Sequence, residues 1–337
     1  PAVTPSEHFN TVLYTGNNTT NAITGMGFQP DLIWIKGRDA TGHHQLQDPV
    51  RGALKFLESD TTVAEKTSDA DTDLVSFDSD GFTLGASNHG NVNASSVNYV
   101  GWNWKAASTA SGTTSGAGTG KAYSARYNTD AGFSIIGYLG NGTADHTIPH
   151  HLGKKPQFIT VKKRSGSGAW CTYNETITAD KHIVLNSTAY ETATHQYWSE
   201  TEPTSSVFTV WSNAENNEND ESYIAYCWTS IDGYSKVGFY KGNASADGPF
   251  IYTGFRPAYI LVKKATNVAS WHIFDAARDT DNDVKEYLKA DSTAAEATSA
   301  AEATIFDFVS NGLKIRGSSG DMNSNNETYI YLAFAET

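Results

Sequence analysis

GFRPAYILVK, residues 254–263, states a phrase that the chain has already used twice, as GFQPDLIWIK at 27–36 and GKKPQFITVK at 153–162. Each copy is Gly-x-x-Pro, five mainly apolar residues and a Lys. The alternation decides its conformation. Ile33 and Ile35 share one face while Leu32, Trp34 and Lys36 share the other, which is the two-residue period of a strand. Ile159/Val161 and Ile260/Val262 keep the split. Gly-x-x-Pro supplies a turn, and Pro at a strand's start loses no ladder hydrogen bond. A catalytic loop needs one copy in a chain, whereas a structural unit needs one per repeat.

Companions recur at fixed offsets. Twelve residues after Lys36, Lys162 and Lys263 stand Asp48, Asn174 and Asp275. TTVAE (61–65), STAYE (187–191) and STAAE (292–296) follow. YTGN (14–17), YLGN (138–141) and YKGN (240–243) open the copies. Asn93/Tyr99, Asn217/Tyr223 and Asn323/Tyr329 close them, ahead of VGWNW, IAYCW and IYLAF. SFDSDGFTL (76–84) and DFVSNGLKI (307–315) place Asp-Gly and Asn-Gly between strand-like runs, a hairpin signal. The expected fold class is therefore all-β, as three tandem β-sandwich repeats (jelly-roll or lectin-like) of about 100 residues each. They span 1–105, 132–232 and 233–337. Residues 106–131, with AASTASGTTSGAGTGKA at 106–122, have the composition of a flexible linker. Units two and three are accordingly expected to form a rigid pair, with unit one more freely attached. Thr62/Glu65, Thr188/Glu191 and Thr293/Glu296 have capping-box spacing and predict one helical turn on each connection.

Composition agrees with an all-β protein. Charged residues make up only 18%, and 17 Tyr, 15 Phe and 8 Trp supply the rings that fill pleats. The net charge of −13 disfavours phosphate backbones and anionic membranes as partners, so neither nucleic-acid binding nor membrane insertion is expected. No apolar run approaches the roughly 20 residues that span a bilayer. Cys171 and Cys227 are too few for a disulfide scaffold and read as two free, buried thiols.

Chemistry-bearing residues are sparse. The chain has no Gly-x-Ser-x-Gly elbow, no phosphate-binding Gly-rich loop entering a helix and no HExxH, so no catalytic residue is assigned and no enzyme is expected. The repeated Lys reads as a strand-end residue that discourages edge pairing, with a surface ion pair to the Asp or Asn twelve residues on. Asp48/Arg51 and Asp275/Arg278 read as local pairs that stabilise a turn, from which NETI (174–177) departs. Asp69, Asp71 and Asp73 alternate as a Ca²⁺ loop does, but Leu74 stands where an EF-hand needs Gly, and solvated acid is the competing reading. His43, His44, His146, His150 and His151 lack partners at zinc spacing. Trp198 and Trp211 occur only in unit two, within polar loops, where an indole would stack on a sugar ring. Trp170 and Trp271 align with each other, and with His44 in unit one, and are candidates for the same role or for core.

HFNTVLYTGNN, GFQPDLIWIKGRD, QDPVRG, SFDSDGFTLG and NYVGWNWKA together resemble a domain common in virion proteins of marine tailed bacteriophages, and the segments from 128 and 233 onward resemble the units that usually follow it. The resemblance implies a structural virion protein, a tail-fibre or appendage component on the particle surface; with the missing catalytic motifs and the loop tryptophans, the expectation is a non-enzymatic protein touching host glycans. A capsid decoration protein is the alternative, and a polysaccharide depolymerase a third reading. Its expected partners are other virion proteins, host surface polysaccharide and copies of itself, with a trimer natural for a fibre.

Overall fold

In a computed structural model of the chain, which describes residues 3–87, 91–298, 306–318 and 320–335, the phrase strands are Leu32–Gly37, Phe158–Lys163 and Pro257–Lys264. Each lies between a closing strand (Asn98–Trp104, Ser222–Trp228 or Thr328–Ala335) and the strand that follows it in sequence (Gln45–Gln47, Cys171–Asn174 or Trp271–Asp275). An opening strand, Phe9–Thr15, Phe133–Leu139 or Ser235–Lys241, pairs on the far side of the closing strand. The order opening, closing, phrase, following recurs in three separate antiparallel sheets. The protein is nearly all β. Among the described residues, helix is confined to Gly320–Asn323 and a 3-10 turn at Pro5–Glu7.

Each main sheet is accompanied by a three-stranded one. Asn21–Thr24, Gly81–Leu84 and Leu74–Asp78 form the first, Ser115–Gly116, His146–Pro149 and Val207–Val210 the second, and Phe250–Tyr252, Gly312–Ile315 and Phe306–Val309 the third. The two hairpins expected from Asp-Gly and Asn-Gly are present, with Asp78 opposite Gly81 and Val309 opposite Gly312.

The alternation of the phrase explains why both of its faces are buried. Ile33 and Ile35 join a cluster with Phe82 and Leu84 of the smaller sheet. Ile159 and Val161 do so with Ile148 and Phe208, and Ile260 and Val262 with Ile251 and Leu313. The other face, with Leu32, Trp34, Phe158, Tyr259 and Leu261, enters one large cluster shared by all three segments. Trp104 is central to it, with ring centroids 6.2 Å from Trp228, 5.7 Å from Tyr259 and 5.6 Å from Phe334.

The fold departs from three expectations. Residues 106–131 do not form a flexible linker: Ala122–Asn128 pairs along Phe133–Leu139, and Ser108–Thr113 pairs outside it, extending that sheet to eight strands. Small Ser, Thr, Ala and Gly residues suit a solvent-facing sheet edge as well as a tether, and composition alone does not separate the two. Unit one is accordingly not loosely attached, because one face of its main sheet lies in the cluster that it shares with the other two. The Thr-x-x-Glu loops are not helical turns either. They run extended against the next segment, with Glu65, Glu191 and Glu296 donating their N–H groups to the carbonyls of Arg164, Ala265 and Arg38. Of the Ala-rich run after Glu286, residues 299–303 lie outside the described residues.

Cys171 and Cys227 are free and fully buried, and burial pushes both thiols up from their ordinary range. A thiol held protonated and out of contact with solvent is unreactive. Native protein is expected to show no reaction with Ellman's reagent at pH 8 over hours and two equivalents after denaturation. Rapid native labelling would contradict this placement.

Candidate functional site

The recurring polar residues converge on the seams between segments. Lys36, Lys162 and Lys263 are fully buried, not strand-end surface residues. Lys36 Nζ donates to the Thr293 carbonyl at 3.4 Å, Lys162 Nζ to that of Thr62 at 3.2 Å, and Lys263 Nζ to that of Thr188 at 2.9 Å. Each ammonium thus holds the Ser/Thr-Thr-x-x-Glu loop of a neighbouring segment, first to third, second to first and third to second. Burial lowers all three to about 8. At that value they are mainly protonated at neutral pH, and Lys263, which donates to three carbonyls, needs all three of its protons.

The aligned rings perform a parallel task. Trp170 Nε1 donates to the Glu58 carbonyl at 2.8 Å, and Trp271 Nε1 to that of Val184 at 2.9 Å. In unit one His44 receives the Trp34 indole N–H on Nδ1 at 2.8 Å and lies 2.9 Å from the Lys289 carbonyl through Nε2. One ring nitrogen must accept and the other donate, which fixes a neutral imidazole, and burial holds its pKa well below the usual value.

The Asp-x-x-Arg pairs belong to the same seams. Arg51 Nε donates to Asp48 Oδ2 at 2.6 Å, and the Tyr226 hydroxyl of the second segment donates to the same oxygen at 2.7 Å. Arg278 Nε donates to Asp275 Oδ2 at 2.6 Å, and Trp102 Nε1 of the first segment donates to it at 2.9 Å. At the third seam Leu332 stands where Tyr226 and Trp102 stand elsewhere. A leucine offers no donor, and there the pair is replaced by Asn174 and Ile177, with Ile177 and Leu332 both in the central cluster.

Each Asn that precedes a closing strand clasps the opening of its own segment. Asn93, Asn217 and Asn323 accept through Oδ1 from the N–H of Asn17, Asn141 and Asn243 at 3.0, 2.8 and 2.8 Å. The Gly before each of these asparagines leaves no room for a side chain: a Cβ on Gly16, Gly140 or Gly242 would lie 2.1–2.3 Å from a backbone oxygen. None of these groups is free for chemistry.

The other sequence candidates are placed as follows. Trp170, Trp271 and Trp198 are at most 1% exposed and present no ring face to a sugar. Trp198 stands edge-on to Tyr173, ring centroids 5.9 Å apart. Trp211 is half-buried, edge-on to His195 at 5.3 Å. Asp69 and Asp71 are exposed, while Asp73 is buried and accepts from the Ser68 hydroxyl at 2.6 Å. The three do not converge, and no group of three or more His, Cys, Asp or Glu side chains does so among the described residues. His43 Nδ1 lies 2.6 Å from Asp60, but no described hydroxyl or thiol is bonded to that imidazole as a triad would require.

What remains is a groove that no repeated motif marks. It lies between the second and third segments, encloses about 510 Å³, and is lined in part by Gln157, Glu175, Thr176, Lys236, Phe239 and Tyr252. Phe239 is 56% exposed and Tyr252 65%. Phe239 also walls a second groove of about 400 Å³ with Thr176, Ile177, Lys181 and Glu191. Gln157 Nε2 donates to Glu175 Oε2 at 2.6 Å, and Lys155 pairs with the other carboxylate oxygen at 3.2 Å. These bonds hold Glu175 in place in the lining that it shares with the rings. Phe239 and Tyr252 escape a reading of the sequence because alternating aromatics in a strand ordinarily signify core. The signal lay in the alignment, where Phe239 corresponds to Leu13 and Gly137.

Residues 4–337 match the model of a protein family described as a domain of unknown function, DUF7483. No curated protein matches the chain.

Proposed function

The chain belongs to the DUF7483 family, whose description assigns no function, and from the resemblance of its repeats to virion proteins of tailed bacteriophages we propose that it is a non-catalytic structural protein of a phage particle surface, an appendage component that contacts host glycans. The body is three copies of one β-sandwich, each made of a main sheet and its three-stranded companion, closed around the shared aromatic core. The seams use up the recurring Lys, Asp, Arg and Trp side chains and the clasps within each segment use up the recurring Asn, so the body is a rigid platform and function sits where the copies differ. The groove between the second and third sandwiches carries the proposal. Two exposed rings line it together with carboxylate, amide and ammonium groups, the combination that stacks on a sugar's apolar face and bonds its hydroxyls.

A screen of bacterial surface polysaccharides followed by calorimetry tests it. Phe239→Ala with Tyr252→Ala is expected to weaken binding about ten-fold or more, the equivalent of at least 1.4 kcal/mol. Absence of binding to any glycan, or equal binding by the double variant, would overturn the glycan assignment. Release of reducing ends from the polysaccharide would contradict the non-catalytic one. Imaging of labelled particles addresses position, since signal over the capsid shell would favour a decoration protein.

A further inference from the structure

The three opening strands occupy the same place in their sheets, and the chain treats the three sheet ends differently. On Phe133–Leu139 the end is covered by Ala122–Asn128, paired from Tyr123 opposite Tyr138 to Asn128 opposite Phe133. On Ser235–Lys241 it is open among the described residues, but Lys236 and Lys241 are part of the strand and Gly238 interrupts it, and edge lysines oppose pairing. Phe9–Thr15 reads FNTVLYT, seven residues with no charge, no Pro and no Gly. Among the described residues its outer side pairs with nothing. A long, uncharged, uncovered edge is a template for another strand.

The pairing groups can be named. Gly16 N–H donates to the Val97 carbonyl at 2.8 Å, and Lys105 N–H to that of His8 at 3.0 Å. Even-numbered residues therefore bond inward to the closing strand, and Thr11, Leu13 and Thr15 direct their N–H and C=O groups outward. We propose that this edge pairs antiparallel with the same strand of a second copy of the chain, about a two-fold axis at Leu13. That register sets Leu13 opposite itself, Thr11 opposite Thr15 and Val12 opposite Tyr14. Thr–Thr and β-branched–aromatic pairs are favourable across strands, so the pentapeptide TVLYT is self-complementary. Leu13, 43% exposed, becomes buried against its mate. Asn21 Nδ2 already donates to the Thr15 carbonyl at 3.2 Å, and a carbonyl accepts a second bond.

The second segment supplies the precedent that a strand fits. There Ala122–Asn128 lies on the edge while Pro49 and Val50 of the neighbouring loop stand over it, lining one groove with Ser124 and Arg126. At the corresponding place beside Phe9, Asn10 and Thr11 the neighbouring loop presents the smaller Ala276 and Ala277. Threefold closure is already achieved within one chain, which leaves a two-fold as the symmetry this edge generates, in place of the trimer expected for a fibre.

Sedimentation equilibrium of the full chain at about 1 to 100 μM tests the proposal. The expected result is a mass of two 36.4 kDa chains at the upper concentration. Leu13→Lys, which sets two ammonium groups face to face, is expected to weaken association at least about 100-fold with the circular dichroism spectrum unchanged. Phe239→Lys, at the corresponding position of the lysine-bearing edge, is expected to leave the dimer intact. A wild-type monomer at the upper concentration, a trimer, or a dimer that survives Leu13→Lys would overturn it.

Discussion

Residues 1–232 expressed without the third segment are expected to fail to fold cooperatively. A tandem array of independent sandwiches would lose one unit and keep the others. Here the third segment contributes Tyr259, Leu261, Trp271, Ile273, Leu288, Ile330, Leu332 and Phe334 to the core that also buries Trp102, Trp104 and Trp228. Withdrawing those eight side chains bares the faces they cover. At about 1.5–3 kcal/mol for each large apolar side chain, the loss exceeds about 12 kcal/mol, comparable with the whole stability of a domain, roughly 5–15 kcal/mol. Lys36 also loses the Thr293 carbonyl that receives its ammonium. The full chain is expected to give one urea transition by near-ultraviolet circular dichroism, and the truncated chain to be insoluble or to lack a transition. A soluble, cooperatively unfolding 1–232 would show that the segments are energetically separate.

Reading this sequence succeeded where the deciding interactions are local. The alternation in LIWI places Ile33 and Ile35 on one face and Trp34 on the other, and the fold follows it because a strand's period needs no information from elsewhere in the chain. Lys36 shows the limit. A Lys at the end of an apolar run is ordinarily exposed, and here its ammonium is buried because the neighbouring Gly37 carbonyl is joined by that of Thr293, 257 residues away in sequence. The hairpin of Ser108–Thr113 and Ala122–Asn128 was illegible for a different reason: its pairing partner, Phe133–Leu139, follows at once in sequence, but its own Ser, Thr, Ala and Gly residues are equally those of a tether. The seams did leave a trace in the alignment. Arg38 and Arg164 hold Glu296 and Glu65, and at the third seam, where Ala265 replaces the arginine, Glu191 turns to Lys181 at 2.9 Å instead. Asp-x-x-Arg is present where the facing residue is Trp102 or Tyr226 and absent where it is Leu332. Such joint substitution among copies is a contact signal, but it becomes readable only once the copies are known to touch in a ring.

Asp275→Ala is expected to cost about 3 kcal/mol of unfolding free energy, at the low end of the 3–5 kcal/mol typical when one partner of a buried ion pair is removed. Asp275 and Arg278 are both shielded completely at the side chain. The aspartate receives the Arg278 backbone N–H at 2.9 Å, its Nε at 2.6 Å and the Trp102 indole at 2.9 Å, so its loss strands three donors. Glu296 still reaches Arg278 Nη1 at 2.9 Å, which is why the cost falls toward the lower bound. Asn174→Ala, at the seam that faces Leu332, is expected to cost only about 1 kcal/mol, because Asn174 caps its own turn through the Thr176 N–H and holds no charge. The decisive variant combines Asp275→Ala with Arg278→Met. If the penalty arises from an unpaired guanidinium, removing that charge as well should recover most of the loss and leave a deficit of about 1–2 kcal/mol, reflecting the unpartnered Trp102 indole. Urea midpoints at constant m-value read all three. A double variant no more stable than Asp275→Ala would place the energy of this seam in the aspartate's hydrogen bonds to Trp102 and the turn, not in the ion pair.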